Sequence, residues 1–296
     1  MMRYLVRGGC AVLALIGLMP TAAAAAGCPG PIFDPPRRYY LALGDSIAYG
    51  FQTDRALAGL GPEAFNTGYV DLFAANLRRL RPETTVVNYS CPGESTTSFR
   101  VSCVWKDSGH RLHDDYAGAQ MDAALAFLRA HPGRVGPITL SLNGNDVNAF
   151  VQGCAFDVQC IQREAPAAIA QYAARLRSIL GALRAAAPST EIIVVGAYDP
   201  NVGAFAFADP LFASVNAVQS TEAATVRARF ADPFPVFNPQ GDAAAETAAI
   251  CALTLICSRN DSHPSDAGYR ALADLVWQAS GYRIRHPADT TSRMRR

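Results

Sequence analysis

Short apolar runs and amphipathic segments alternate along most of the 296-residue chain. The runs are rich in β-branched or aromatic residues, which is typical of buried parallel strands; they cover residues 39–43, 85–89, 138–142 and 192–195. The segments between them repeat apolar residues at helical spacing, which predicts helices that bury one face; they cover residues 68–80, 117–130, 165–187 and 267–280. An Ala-rich stretch at 243–249 predicts one more helix. The alternation predicts an α/β fold, a three-layer α/β/α sandwich with a mostly parallel sheet.

The N-terminus has the order of an export signal. Arg3 and Arg7 precede an apolar stretch at 10–19, and Pro20 and an Ala-rich run follow it. The apolar stretch is too short to span a bilayer comfortably, and a buried N-terminal helix is the less favoured interpretation. We therefore expect an exported protein with a signal peptide at 1–27, one folded domain at 36–282 and an exposed tail at 283–296.

Six of the eight cysteines form three local couples, which predicts three disulfides in an oxidising compartment. The expected pairs are Cys91 with Cys103, Cys154 with Cys160, and Cys251 with Cys257. A zinc site is the alternative, but the couples lie far apart and no CxxC occurs.

Cys28 follows Ala25, Ala26 and Gly27, an order that resembles a bacterial lipobox, although Ala25 stands where a branched apolar residue is usual. A lipid anchor at Cys28, which would leave the exported protein membrane-anchored, and ordinary cleavage nearby, which would leave it secreted or periplasmic, both stay open.

The charge of the chain limits the classes of partner that it is expected to bind. The formal net charge is +1 and no block of Lys and Arg occurs, so neither nucleic acid nor an acidic membrane surface is expected as the main partner. We expect a monomer that acts on a small molecule.

Four polar segments lie where chemistry is expected, since ligands of open α/β sheets bind at the carboxyl ends of the strands. Ser46 at a strand-to-helix turn can expose its hydroxyl. Gly93 lets its N–H approach a substrate oxygen, and the Asn145 amide can donate to an oxyanion. His263 precedes a proline and a helix cap, which predicts a loop position. Taken singly, each has an ordinary explanation as a cap, a turn or a solvated side chain. The segments cover 44–46, 90–95, 143–146 and 260–264.

In this order the four segments resemble the SGNH/GDSL hydrolase superfamily, from about residue 39 to residue 282. The sequences NYSCPGES and DSHPSDAGY are similar to exported bacterial esterases and lipases of that superfamily. The resemblance implies a flavodoxin-like sandwich, a carboxylic or lipid ester as substrate, and neither metal nor organic cofactor. It implies Ser46 as nucleophile through an acyl-enzyme, His263 as general base, and an oxyanion hole formed by Ser46, Gly93 and Asn145.

The chain departs from the superfamily's pattern in two places. Asn143 stands where the third segment usually begins with Gly, and Asn260 stands where an Asp usually precedes the histidine by three residues. A histidine base needs an acceptor for its Nδ1–H. Asp261, the Asn260 side chain and the Asn260 carbonyl each stay open as that acceptor, and we expect Asn260.

Three further questions stay open at this level. Tyr49 and Phe51 follow the nucleophile closely and either line an acyl pocket or pack into the core. Carbohydrate deacetylases and acyltransferases of the same superfamily use a similar site, so both activities stay open as alternatives to ester hydrolysis. A non-catalytic binding module is disfavoured because Ser46 and His263 are both present.

Overall fold

The structure is a computed structural model that describes residues 36–142, 144–201 and 208–283. Its strands are β1 Tyr39–Gly44, β2 Thr85–Asn88, β3 Val135–Ser141, β4 Ile192–Val195, β5 Arg229–Ala231, β6 Thr254–Leu255 and β7 Asp261–Pro264. Its helices are α1 Ser46–Tyr49, α2 Thr53–Leu57, α3 Tyr69–Leu80, α4 Val104–Asp107, α5 Gln120–Ala130, α6 Gly144–Gly153, α7 Val158–Ala186, α8 Asp209–Thr225, α9 Phe234–Phe237, α10 Ala243–Leu253, α11 Ile256–Arg259 and α12 Asp266–Ala279. Short 3₁₀ turns occupy Pro62–Phe65 and Ser98–Arg100.

Strands β1 to β5 form one parallel sheet in the order β2-β1-β3-β4-β5. Leu41 pairs with Val87 on one side and with Ile138 on the other, so β1 lies between the second and third strands of the chain. The strand order reverses at this point, and the carboxyl ends of β1, β2 and β3 meet at the same edge. Such a reversal is where open α/β sheets bind their ligands.

Each face of the sheet is covered by helices, as the alternation of side chains along β1 illustrates. Leu41 and Leu43 are fully buried in a core shared with α5, α7 and α8, whereas Tyr40 and Ala42 are fully buried in a second core shared with α3 and α12. The predicted α/β/α sandwich with a parallel sheet is therefore confirmed.

Predicted elements match the observed ones with small shifts at their ends, and three differences have physical causes. Helix α7 begins at Val158, well before the predicted start, because the side chain of Asp157 caps it and the helix continues through Pro166. Helix α8, Asp209–Thr225, lies where the sequence pattern predicts no element, because the buried Asn216, Gln219 and Glu222 interrupt its apolar face. His263 lies in β7, which pairs antiparallel with β6, and not in a loop.

The N-terminal residues proposed as a signal peptide, the Cys28 anchor, Asn143 and most of the C-terminal tail lie outside the described residues. None of the helices that the structure describes combines the length and the apolar character needed to cross a bilayer.

Candidate active site

Ser46 is the first residue of α1 and follows β1 after a tight turn. The side chain of Asp45 accepts hydrogen bonds from the Ile47 N–H, at 3.0 Å, and from the Ser141 hydroxyl, at 2.8 Å. Gly44 has a φ of +131°, and a Cβ atom there would lie 2.1 Å from the carbonyl oxygen of Ser141. Only glycine allows this conformation and this approach to β3. The turn that carries the Ser46 hydroxyl is thus fixed on both sides.

His263 and Asp261 reach Ser46 from the far end of the chain. The Ser46 Oγ lies 2.9 Å from His263 Nε2, and His263 Nδ1 lies 2.6 Å from Asp261 Oδ1. Because a carboxylate accepts only, the Nδ1 atom carries the proton that it donates to Asp261, and Nε2 is left to accept from the serine hydroxyl. The three side chains therefore have the connectivity of a nucleophile, its base and the group that orients the base.

Asp261 is buried and accepts two more hydrogen bonds. Its Oδ1 accepts from the His263 N–H at 3.1 Å, and its Oδ2 accepts from the Thr53 N–H at 2.8 Å. Burial by itself raises the pKa of Asp261, but hydrogen bonds from the His263 ring and from Thr53 outweigh it and hold the pKa well below its usual value. Asp261 is therefore ionised at neutral pH.

The expectation of an Asn260 acceptor is wrong, because the acceptor in the structure is Asp261. Asn260 ends α11 in the left-handed conformation, with φ 50° and ψ 38°, and its side chain is exposed. This left-handed residue turns the chain into β7, where Asp261 pairs with Leu255 and is only 5% exposed. The carboxylate that accepts from the His263 ring therefore comes from two residues before the histidine and not from three.

The histidine is held by packing and by hydrogen bonds to its neighbours in β7. The Phe51 ring lies 4.8 Å from the His263 ring, centroid to centroid. The Tyr198 hydroxyl donates to the Ser262 carbonyl at 2.8 Å, and the Gln52 amide donates to the Pro264 carbonyl at 3.1 Å. These contacts limit the rotation of the imidazole away from Ser46.

Tyr49 and Phe51 pack into the core rather than line the reaction cavity. Both belong to a buried cluster with Phe65 and the disulfide-bonded Cys91 and Cys103. The hydroxyl of Tyr49 donates to the Arg111 carbonyl at 3.0 Å.

The three residues expected to form an oxyanion hole follow β1, β2 and β3. Neither the Ser46 N–H nor the Gly93 N–H has an acceptor among the residues that the structure describes. Gly93 has a φ of +86°, and no atom lies within 4 Å of where its Cβ would be. The Asn145 amide donates one hydrogen to the Glu94 carbonyl at 2.8 Å, which leaves its second hydrogen for a ligand. All three donors thus lie at the carboxyl edge of the sheet, and two of these residues, Ser46 and Asn145, line the cavity at His263.

A cavity of about 120 Å³ is lined by Ser46, Asn145 and His263, together with Tyr198 and Phe212. Other residues of α6 line a larger cavity of about 400 Å³, whose side chains are mainly apolar, such as Phe150 and Ile169. Within the described part of the chain, no group of His, Cys, Asp and Glu side chains could hold a metal ion.

The three predicted disulfides are confirmed: Cys91 is bonded to Cys103, Cys154 to Cys160, and Cys251 to Cys257. The first begins two residues before Gly93, and the last lies just before β7. Thr53, which donates to Asp261 across 208 positions of the chain, is not predictable from the sequence, because no local pattern indicates such a contact.

Comparison with known proteins identifies the family. The sequence profile of the GDSL-like lipase/acylhydrolase family matches residues 42–271, whereas no curated protein sequence matches the chain. Among solved structures, an extracellular lipase from Streptomyces rimosus is 18% identical with a TM-score of 0.56, over 82% of this chain and 99% of that one.

Two further solved structures share the fold. Phospholipase A1 from Streptomyces albidoflavus is 18% identical with a TM-score of 0.55, over 83% of this chain and 100% of its own. An acetylxylan esterase from Geobacillus stearothermophilus is 19% identical with a TM-score of 0.52, over 86% of this chain and 99% of that one. At these identities the structures support the fold alone, and the profile match carries the assignment. The chain belongs to the GDSL-like lipase/acylhydrolase family and is a hydrolase of esters.

Proposed function

We propose that the protein hydrolyses carboxylic esters through an acyl-enzyme on Ser46. The observation that carries the proposal is the continuous hydrogen-bonded connection from Asp261 through His263 to the Ser46 hydroxyl, with distances of 2.6 and 2.9 Å. Connected in this order, a serine hydroxyl becomes a nucleophile at neutral pH.

The reaction has two half-steps. Ser46 Oγ attacks the ester carbonyl as its proton passes to His263 Nε2, and the carbonyl oxygen becomes an oxyanion held by the N–H groups of Ser46 and Gly93 and by the Asn145 amide. The C–O bond to the alcohol breaks, and the alcohol leaves with the proton from His263. Water then gives a proton to His263 and attacks the acyl-enzyme, which releases the acid and restores the Ser46 hydroxyl.

The size of the cavity at Ser46 favours a short acyl group. Its volume is about 120 Å³, much smaller than the cavity of about 400 Å³ lined by Phe150 and Ile169. An acetyl to butyryl group fits this space. We therefore expect p-nitrophenyl acetate and butyrate to be cleaved with a higher kcat/KM than the palmitate.

The proposal is tested by Ser46→Ala together with a p-nitrophenyl phosphonate that labels reactive serines. Wild-type protein should hydrolyse the short esters and be labelled at Ser46. The folded variant should lose activity by several orders of magnitude and lose the label. Turnover near the wild-type value in folded Ser46→Ala would contradict the proposal, and so would a wild-type protein that is neither labelled nor active.

A carbohydrate deacetylase remains the second candidate, because an acetyl group fits the small cavity. Acetylated xylooligosaccharides, compared with p-nitrophenyl acetate and with phospholipid, distinguish this use from a general esterase or a lipase. An acyltransferase would instead pass the acyl group to an added alcohol, and ester formation in the presence of glycerol would identify it.

We also propose that the protein is exported. Three disulfides, each within a short stretch of chain, support an oxidising compartment. Mass spectrometry of the mature N-terminus from the producing cell tests cleavage near residue 27. A diacylglyceryl mass on Cys28 would show a lipid anchor, and an uncleaved cytoplasmic chain would refute export.

A further inference from the structure

Gln120 is a completely buried glutamine that does not line the reaction cavity. It begins α5, and its side chain forms three hydrogen bonds. Its Oε1 accepts from the Gly44 N–H at 2.6 Å, and its Nε2 donates to the Gly44 carbonyl at 3.0 Å and to Glu94 Oε2 at 3.0 Å. One amide therefore binds both polar groups of a single glycine and also a second, distant residue.

The Gly44 end of this arrangement is the turn that carries the nucleophile. The backbone of Gly44 is already restricted by its positive φ and by the contact with Ser141. The Gly44 carbonyl also accepts from the Cys91 N–H at 2.9 Å. With Gln120 bound to both its N–H and its carbonyl, Gly44 cannot rotate without breaking buried hydrogen bonds, each of which is costly to leave unmade. The orientation of the following Asp45 and Ser46 is set by this residue.

The Glu94 end belongs to the other two donor segments. Glu94 directly follows Gly93, and its side chain is only 1% exposed. Its carbonyl accepts the hydrogen bond from the Asn145 amide at 2.8 Å. Gln120 is thus joined to the Ser46 turn through Gly44, to the Gly93 segment through the Glu94 side chain, and to Asn145 through the Glu94 carbonyl.

We propose that Gln120 is a positioning residue that sets the spacing of the three oxyanion donors at Ser46, Gly93 and Asn145. This role rests on the proposed function, because the spacing matters only if Ser46 attacks a carbonyl. Donors act on an oxyanion over a narrow range of about 2.7–3.1 Å. A displacement of about 1 Å in such a site costs on the order of 10²-fold in rate. Removing Gln120's hydrogen bonds should therefore lower kcat without weakening substrate binding.

The test is Gln120→Met, which keeps the length of the side chain and removes its hydrogen bonds. Sites are first titrated with the phosphonate, so that kcat is expressed per reactive Ser46. We expect kcat per site for p-nitrophenyl acetate to fall by about 10- to 100-fold with little change in KM. A methylboronic acid that forms a tetrahedral adduct on Ser46 should bind more weakly by a similar factor, because its oxygen occupies the same position as the oxyanion.

Two further variants separate positioning from a merely structural role. Gln219→Met is the matched control, since Gln219 is equally buried but, among the described residues, donates only to the Leu142 carbonyl, at 3.5 Å. This variant should change Tm without selective loss of kcat per site. Glu94→Met removes only the bond that Gln120 Nε2 donates to Glu94 and leaves both bonds between Gln120 and Gly44. It should lower kcat per site with little change in KM; if Gln120→Met does not fold, an unchanged kcat per site in folded Glu94→Met overturns the role of Gln120.

The outcomes distinguish this inference from the proposed function. If wild-type Ser46 is not labelled, the proposed function has failed and the role of Gln120 fails with it. If Ser46 is labelled normally but folded Gln120→Met keeps the wild-type kcat per site and boronate affinity, only the role of Gln120 is overturned. A fall in the number of reactive sites with unchanged kcat per site would also overturn it, because that is the signature of lost stability.

Discussion

Replacing Asp261 by asparagine should disable His263 as a base while the fold survives. The carboxylate of Asp261 accepts three hydrogen bonds: from the His263 ring at 2.6 Å, from the His263 N–H at 3.1 Å and from the Thr53 N–H at 2.8 Å. An asparagine side chain has one oxygen and one NH₂ group in place of two acceptor oxygens. At least one of these three donors must therefore face another donor.

The two orientations of the amide have different consequences. If its oxygen faces His263, the NH₂ opposes the Thr53 N–H, and an unsatisfied buried donor costs about 1–3 kcal/mol of stability. If its NH₂ faces His263, the ring accepts at Nδ1 and carries its proton on Nε2, where it can no longer accept the Ser46 proton. In a serine protease with the same connectivity, this substitution lowers kcat by about 10⁴-fold, which corresponds to about 5.4 kcal/mol of activation free energy.

The assay is kcat for p-nitrophenyl acetate in folded Asp261→Asn, with folding checked by near-UV circular dichroism and Tm. Asn260→Gly is the matched control, because glycine adopts the left-handed conformation of this position freely and the substitution removes only an exposed side chain. We expect a loss of about 10⁴-fold in Asp261→Asn and near-normal turnover in Asn260→Gly. The reverse result would refute Asp261 as the orienting group.

Three other outcomes follow from the geometry. Asn145→Ala should lower kcat by about 10²- to 10³-fold with little change in KM; a change confined to KM would instead make Asn145 a substrate contact. Burial raises the pKa of Glu94 from its ordinary 4.5 to about 7, despite a hydrogen bond from Gln120 that favours the ionised form. The folded state therefore binds the extra proton between these pH values, and the wild-type free energy of unfolding should fall as pH rises through this range. Glu94→Gln should remove a dependence of up to about 3 kcal/mol, and urea unfolding of both proteins at pH 4.5 to 7.5 measures it; parallel curves would contradict the assignment. Replacing Cys91 and Cys103 together by Ala should lower stability by about 3 kcal/mol, given their separation of 12 residues, and unchanged urea unfolding would show that the bridge contributes nothing.

The sequence predicts the central part of the fold because the relevant signals are local. Strands β1 to β4 coincide with short runs rich in apolar, β-branched or aromatic residues. The apolar face of α7 is buried at Leu176, Ile179, Leu180 and Leu183, as its spacing indicates. Ser46 and His263 are likewise found from short motifs that lie beside element ends. The disulfide pairs follow from short separations alone.

Elements with polar buried faces are not predictable in the same way. Helix α8 buries Asn216, Gln219 and Glu222 together with its apolar residues, so its sequence lacks a clear apolar stripe. Strand β5 has three residues and begins with Arg229, which forms an ion pair with the buried Glu191. In both cases the partners that make burial acceptable come from distant parts of the chain, which a local pattern does not contain.

The choice between Asn260 and Asp261 depends on a single backbone conformation. The left-handed φ of Asn260 ends α11 and turns the chain into β7. Asn260 is then exposed and Asp261 is buried. Asparagine tolerates this conformation better than most residues, so the feature is compatible with the sequence without being determined by it.

The site segments are stabilised in two different ways. Disulfides lie in or near three of them, and hydrogen bonds, among them those of Gln120, fix the other. Cys91–Cys103 closes the segment that contains Gly93, Cys154–Cys160 follows the helix that begins beside Asn145, and Cys251–Cys257 precedes the strand of His263. Polar segments gain little from apolar burial, and ordering each backbone residue costs about 1–2 kcal/mol. A cross-link reduces the entropy that the unfolded chain has to lose. The nucleophile turn at 44–50 contains no cysteine, and it is fixed instead by hydrogen bonds from Gln120 and Ser141. One cross-link therefore closes a site segment and two lie near site segments, whereas the nucleophile turn depends on buried amide and hydroxyl groups.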